Sequence, residues 1–305
     1  MRFNARPTHK LTARAMRRLL LLLASAICAG AAWAPVWVDH FTEPTLNPAL
    51  WTVRNNMTHG EREWQLYLQD EVYVESGAMV IRTRSRHAPY GSRQYNFTSG
   101  WVDTMGSELG ENTYGMFSAR IQLPFEAVGV WPAYWIVDHN HHCWPTGAEI
   151  DILEAVGGVQ GDSVSGTYHW GQTCGVDDWE GDGQRSGHYP HPPGAPFSTA
   201  FHTFTAYWNR TAITWAVDGH PFVSRLAGQP ADLFVPSWPL FTIFNTAISF
   251  FGVPQPPPPL SEPVYMRVDW AGSWRWDGPG GATGDFEIPY NATGLKPPPA
   301  AGSAN

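Results

Sequence analysis

Residues 117–123 read Phe-Ser-Ala-Arg-Ile-Gln-Leu. Phe117, Ala119, Ile121 and Leu123 fall on one side of an extended chain and Ser118, Arg120 and Gln122 on the other, because successive side chains of a strand point to opposite faces. The same period of two returns at Met266, Val268 and Trp270, which alternate with Arg267 and Asp269. Residues 211–217 and 221–226 flank Asp218-Gly219, a type I′ hairpin signal, since that turn needs positive φ at both central positions. Prolines at 254 and 256–259 separate strands as extended connections. No stretch sustains a 3.6-residue period. The pattern predicts an all-β fold, two antiparallel sheets packed face to face as in a jelly roll.

Composition agrees. Apolar residues make up 43% of the 305-residue chain, enough for a sizeable core and too many for global disorder. Thirty Gly and 27 Pro without a period of three exclude collagen and disfavour a helical bundle. Sixteen Trp stand against only 15% charged residues, where about a quarter is usual, so the chain requires flat apolar surface. A formal charge of −8 argues against nucleic acid, which is bound through clustered Lys and Arg. No linker, repeat or composition break interrupts the chain between Trp37 and Trp276, so residues 35–278 are read as one domain. Residues 279–305, rich in Gly, Pro and Ala, are read as a flexible tail without the apolar C-terminal run of a lipid-anchor signal.

The first 34 residues read as an address, with cleavage after Ala31 or Ala34. Arg2, Arg6, Lys10, Arg14, Arg17 and Arg18 precede an apolar run that opens at Leu19 and ends in the small residues Ala29, Gly30, Ala31, Ala32 and Ala34. That is the layout of a secretory signal peptide, and the run is short for a membrane anchor. No other segment could span a bilayer, so a secreted protein without stable membrane insertion is expected. Removing the six cations leaves 13 Lys and Arg against 27 acids, a mature charge of −14. Cys28 leaves with the leader, and Cys143 and Cys174 remain as an even pair in an oxidising compartment, which predicts a disulfide. Sequons at Asn56, Asn96, Asn209 and Asn291 fit the same route.

Residues 147–158 read Gly-Ala-Glu-Ile-Asp-Ile-Leu-Glu-Ala-Val-Gly-Gly. Alternation sets Glu149 and Asp151 on one face and Ile150 and Ile152 on the other, which leaves Glu154 on the wrong face unless a β-bulge inserts one residue near Ile152 or Leu153. With the bulge, Glu149 and Glu154 lie roughly 13 Å apart at Cα, and their side chains can close to about 5 Å, the separation that suits a retaining glycosidase. No Lys or Arg occurs between Arg120 and Arg185 to neutralise the cluster. Uncompensated carboxylates drive each other's pKa values apart, as an acid and a nucleophile require.

The string Glu149-Ile-Asp-Ile-Leu-Glu154 resembles the bulged Glu-x-Asp-x-x-Glu signature of glycoside hydrolase family 16, laminarinase-like members above all. Residues 114–124, Gly129-Val-Trp-Pro-Ala-Tyr-Trp135, Trp144-Pro-Thr-Gly-Ala-Glu149, Gly166-Thr-Tyr-His169, Phe201-His-Thr-Phe with Trp208, Val217-Asp-Gly219, Phe244-Asn245 and Met266-Arg-Val-Asp269 continue the resemblance in order. It implies a concanavalin-like jelly roll. It also implies that Glu149 attacks the anomeric carbon, that Glu154 is the general acid and base, and that Asp151 between them shares a proton with Glu149.

A sugar ring stacks its apolar face on an aromatic ring and needs polar partners at its edge. Trp135 and Trp144 match cleft positions of the family. Trp131, close to the acids in sequence, is a third substrate-binding candidate and the one of the three most readily surrendered to core packing. His169 matches a cleft histidine, and Asn245 is a further cleft candidate on an otherwise apolar strand. His139, His141, His142 and Cys143 are too crowded for a regular zinc motif, and no cofactor is required. Asp269 and Gly77 match an outer-face calcium site of similar proteins, but His40 stands where that site usually has Glu. Trp101 stands where laminarinases usually have Arg, and Glu71 where Asn is usual; both usual residues would contact sugar. The resemblance implies an endo-glycosidase acting on β-1,3-glucan or a mixed β-glucan, a monomer whose partner is the polysaccharide. A transglycosylase on the same site and a lectin-like carbohydrate-binding protein are the alternatives.

Overall fold

The computed structural model describes residues 33–60, 63–124, 128–139, 142–157, 163–178, 186–249 and 257–288. Cys28, His141, the Asn291 sequon and nearly all of the expected leader lie outside them. One sheet has ten strands. Its path runs β16 (His220–Leu226), β15 (Ala212–Val217), β14 (His202–Trp208), β9 (Gly115–Gln122), β18 (Val264–Trp276), β5 (Ala78–Tyr90), β6 (Arg93–Ser99) and β3 (Gln65–Tyr67), with β1 (Trp33–Asp39) on β18 and β4 (Val72–Glu75) on β5. The other sheet runs β13 (Ser186–Pro190), β12 (Ser163–His169), β11 (Glu149–Glu154), β10 (Val130–Asp138), β17 (Leu240–Ile248), β7 (Trp101–Asp103) and β2 (Thr52–Val53), with β8 (Glu111–Asn112) on β17. Named pairings are antiparallel except β3 with β6. The expected jelly-roll sandwich of two antiparallel sheets is the fold observed.

The alternation explains the core. Phe117, Ala119, Ile121 and Leu123 turn inward from β9 and its end, and meet Ile150, Ile152, Tyr134 and Phe244 of the opposite sheet. Tyr134 and Phe244 stack with centroids 4.5 Å apart. Burying each such side chain contributes about 1.5–3 kcal/mol. Trp37, Trp51, Trp170, Trp208 and Trp215 also belong to this core, which accounts for part of the tryptophan excess. The Asp218-Gly219 turn forms as expected, with φ of 49° and 78° and Val217 facing His220.

Three expectations change. The alternation through Met266 and Val268 breaks at Asp269: Val268 pairs with Ile121 and Trp270 with Arg120, so one extra residue intervenes. Met266 and Val268 therefore face the main core, while Trp270 joins Trp274, Met116, Tyr207 and Ile288 in a second cluster. The domain boundaries also move outward. Trp33 and Ala34, which only cleavage after Ala34 would assign to the leader, pair with Trp276 and Arg275. Phe286 and Ile288, read as tail, are each 7% exposed, and Phe286 stacks on Trp276 at 5.9 Å. These two apolar residues tie down the described part of the stretch, up to Ile288. Finally, Asn209 is buried. Its Oδ1 accepts from Thr211 and Ala212 N–H, and its Nδ2 donates to the Phe286 carbonyl, so this sequon is a structural cap rather than a presented acceptor.

Cys143 and Cys174 form the expected disulfide, Cα to Cα 5.4 Å. It links the connection after β10 to the connection after β12, on either side of β11. Among the described residues, no helix is long and apolar enough to cross a membrane.

Candidate active site

The bulge lies at Ile152. Trp135 pairs with Asp151 and Tyr134 with Leu153, which leaves Ile152 without a partner on β10; on the other side, the register with β12 shifts between Asp151 and Glu154. The extra residue restores Glu154 to the face of Glu149 and Asp151. All three carboxylates line one cleft together with Trp131, Ala133 and Trp135 of β10, Asn245 and Ala247 of β17, and His59 and Glu63.

Each acid is held differently. Glu154 accepts a hydrogen bond from Trp131 Nε1 at 3.0 Å and from the Thr167 hydroxyl at 3.2 Å. Asp151 is buried, and its Oδ2 has no hydrogen-bond partner. His169 Nε2 stands 3.3 Å from that oxygen, off hydrogen-bond geometry, and 3.9 Å from Glu149 Oε1. The other ring nitrogen of His169 is 2.5 Å from Asp177 Oδ2. Trp215, from the facing sheet, donates to the Asp151 carbonyl at 2.7 Å and so anchors the bulged strand from below.

The electrostatics follow from this crowding. Burial raises the Glu149 carboxyl to about 7; the Asp151 charge adds to the rise, while His169, His59 and an N–H from Trp144 oppose it. Burial and the Glu154 charge raise Asp151 to about 7 as well, opposed by His169. Glu154 is raised by burial, with His169, Thr167 and Trp131 working against the rise and Glu149 reinforcing it. Burial disfavours the His169 cation, yet the close carboxylates of Asp151, Asp177 and Glu149 hold its pKa well above the ordinary value.

The aromatic candidates sort clearly. Trp135 is nearly buried and donates to Asn245 Oδ1 at 2.8 Å. Trp144 is 45% exposed and tilts over the His169 ring at 5.9 Å. Trp131, the cleft candidate that core packing competes for most strongly, lines the cleft: it projects with Ala133 and Trp135 from alternate positions of β10 and bonds to Glu154. Trp101 packs edge-on against Trp135 at 5.4 Å and bonds to Asp103. Glu71 has no exposed surface and is gripped by Arg82, Arg84, Arg86 and Thr98.

Several residues of the site carry no signal in the sequence. His59, Glu63 and Tyr67 come from the chain before and within β3; Asp177 lies in a loop after β12. Glu63 accepts from Gln65 at 2.5 Å and from Tyr67 at 3.1 Å, and Asn245 Nδ2 donates to the Tyr67 hydroxyl at 3.0 Å. Asp177 sits eight residues after His169, a spacing that would have been readable only with the disulfide-closed loop already known.

Among the described residues, Glu149, Asp151 and His169 are the one group with metal-ligand atoms close together, within 4.8 Å. These atoms already face one another as acids and imidazole. His139 pairs with Glu111 and His142 with Asp138. Gly77 stands at the turn between β4 and β5, and the Asp269 carboxylate is met by Arg120 at 2.5 Å, so its charge is already matched.

The profile of Glycosyl hydrolases family 16 matches residues 53–272. The chain is 31% identical over 262 residues to a beta-glucanase of Rhodothermus marinus, covering 80% of this chain and 86% of that protein. It is 29% identical over 259 residues to glucan endo-1,3-beta-glucosidase A1 of Niallia circulans, where it spans only 34% of the relative's length. Among solved structures, the laminarinase from Rhodothermus marinus superposes with a TM-score of 0.69 at 27% identity, covering 82% of this chain and all of that one. The catalytic domain of an endo-1,3-beta-glucanase (laminarinase) from Thermotoga petrophila gives 0.71 at 27% identity, over 81% of this chain and all of that one. The matched span contains every strand that carries a cleft acid or indole, and the chain belongs to glycosyl hydrolases family 16.

Proposed function

We propose that the chain is a secreted, retaining endo-glycosidase that hydrolyses β-1,3-glucan or a mixed β-glucan by double displacement. The observation that carries this reading is the bulge at Ile152, which turns Glu149, Asp151 and Glu154 to one face beneath Trp131 and Trp135. In this scheme Glu149 attacks the anomeric carbon and forms a glycosyl ester, while Glu154 gives its proton to the departing oxygen. Glu154 then takes a proton from water as that water displaces the sugar from Glu149.

The charges suit these roles. Asp151 and Glu149 both sit near 7, so at neutral pH the two hold about one proton between them, as close carboxylates do. When Asp151 holds that proton, Glu149 is ionised, with His169 Nε2 3.9 Å from its Oε1. Burial raises the Glu154 pKa, the direction that favours the protonated form a general acid needs.

Substrate class follows from the lining. The described lining residues include four carboxylates and no Lys or Arg, and the mature chain carries −14, so a neutral glucan fits and a highly sulfated polymer is repelled. The relatives named for β-glucan and 1,3-β-glucan support the same choice. Secretion rests on the leader reading and on the Cys143–Cys174 bridge, which belongs to an oxidising compartment. Incubation with laminarin, lichenan, agarose and carrageenan, with products sized, tests the proposal. Oligosaccharides from laminarin or lichenan are expected; binding to all four without cleavage of any would overturn it.

A further inference from the structure

His59 lies on the connection between β2 and β3, and its ring sits 5.0 Å from Trp101 and 5.9 Å from Trp135. Its Nδ1 is 3.1 Å from Glu63 Oε1. Among the described residues this is the ring's one hydrogen bond, and its side chain is 53% exposed toward the cleft that it lines. Glu63 in turn is only 11% exposed and is fixed by Gln65 and Tyr67. Tyr67 receives Asn245, and Asn245 receives Trp135. A continuous chain of hydrogen bonds therefore runs under the cleft floor from His59 to Trp135 and sets both rings in fixed relation.

The placement mirrors His169. One imidazole, backed by Asp177, flanks Glu149 from β12; the other, backed by Glu63, flanks it from beyond β10 and β7. The indole of Trp101 fills the place where the family resemblance expects an arginine. Because the described lining has no Lys or Arg, His59 is the group that can supply positive charge at this end.

We infer that His59 is a substrate-positioning residue, which uses the Glu63 contact to fix its ring against Trp101 and Trp135 and presents Nε2 as a donor to a hydroxyl of the glucan. The inference rests on the glucanase reading and adds to it a titratable grip. The groups facing His59 are Glu63 beside it, Tyr67 on β3, Glu149 on β11, and Asp103 beneath Trp101, which is itself paired with Arg54. Burial disfavours the His59 cation, but the hydrogen bond and charge of Glu63 and the charge of Glu149 raise its pKa above 6.5. Tyr67 stays protonated because burial and Glu63 push it well above its usual range.

The test uses the full chain with laminarin, KM and kcat being measured from pH 5 to 9 for the wild type, His59→Gln and His59→Arg. Gln should raise KM about tenfold at pH 5, the scale of one hydrogen bond from a charged donor, and flatten its pH dependence, with kcat changed less than about twofold. Arg should restore a low KM and hold it low up to pH 9, whereas the wild-type KM should rise as His59 gives up its proton. An active wild type with a His59→Gln variant of unchanged KM at every pH overturns this inference alone, as does a fall in kcat at constant KM. A wild type inactive on every glucan overturns the glucanase reading and this inference with it.

Discussion

Replacing Glu149 with Gln should stabilise the protein while ending turnover, and the gain should depend on pH in a stated way. The Glu149 carboxyl moves from 4.5 to about 7 in the folded chain, and its side chain is only 19% exposed. The folded state therefore holds this proton more tightly than the unfolded state does. Stability is fully present below the unfolded value of 4.5 and declines as pH rises toward 7. At about 1.4 kcal/mol per unit, ~3 kcal/mol is given up above pH 7. Gln keeps the shape and discards the charge, so the variant recovers this amount, less what His169 loses when one of its anions disappears. The expected net gain is ~1–3 kcal/mol at pH 8, or about 2–10 °C in Tm for a domain of this size, and close to nothing at pH 4. Calorimetry at pH 4, 6 and 8, beside a laminarin assay, measures both effects. A variant with lower Tm at pH 8, or with the same Tm shift at pH 4 and 8, would refute the reasoning. Such an outcome would mean that burying this carboxylate beside Asp151 is not traded against stability.

Other outcomes are expected at residues the mechanism leans on less directly. Asp177→Asn removes a hydrogen bond that raises the His169 pKa, so the His169 ring protons should titrate at lower pH by NMR, whereas an unmoved midpoint would deny Asp177 that influence. Asn209→Ala strips the donors of Thr211 and Ala212 and the Phe286 carbonyl of their partner; a cost of about 2 kcal/mol in urea melts is expected. For the same reason, glycopeptide mass spectrometry of protein from a glycosylating host should find position 209 unmodified. Replacing Cys143 and Cys174 by Ser opens a loop of 31 residues and should lower stability by ~3 kcal/mol, with no free thiol detected in the mature parent protein, which has lost Cys28.

The fold was legible because alternation is a local property. Residues 117–123 name their own inward face, and Asp218-Gly219 names its turn. The bulge at Ile152 was legible for a chemical reason: three acids that work together must share a face, and strict alternation forbids it without an extra residue. The bulge at Asp269 carried no such demand. Trp270 looked like the next inward residue after Val268, although it belongs to a second cluster with Trp274 and Ile288. Trp131 was ambiguous because an indole suits a core and a sugar cleft equally, and only its bond to Glu154 separates the two. His59, Glu63 and Asp177 were invisible, since each reaches the site through long-range packing rather than a spacing along the chain.

The central claim is that the bulge brings Glu149 and Glu154 close enough for a covalent glycosyl-enzyme. Following the first product of laminarin cleavage by proton NMR tests it directly. The account predicts that the new reducing end appears as the β-anomer and only then mutarotates. An α-anomer appearing first would mean inversion, with water placed between the two carboxyls, and would contradict the account.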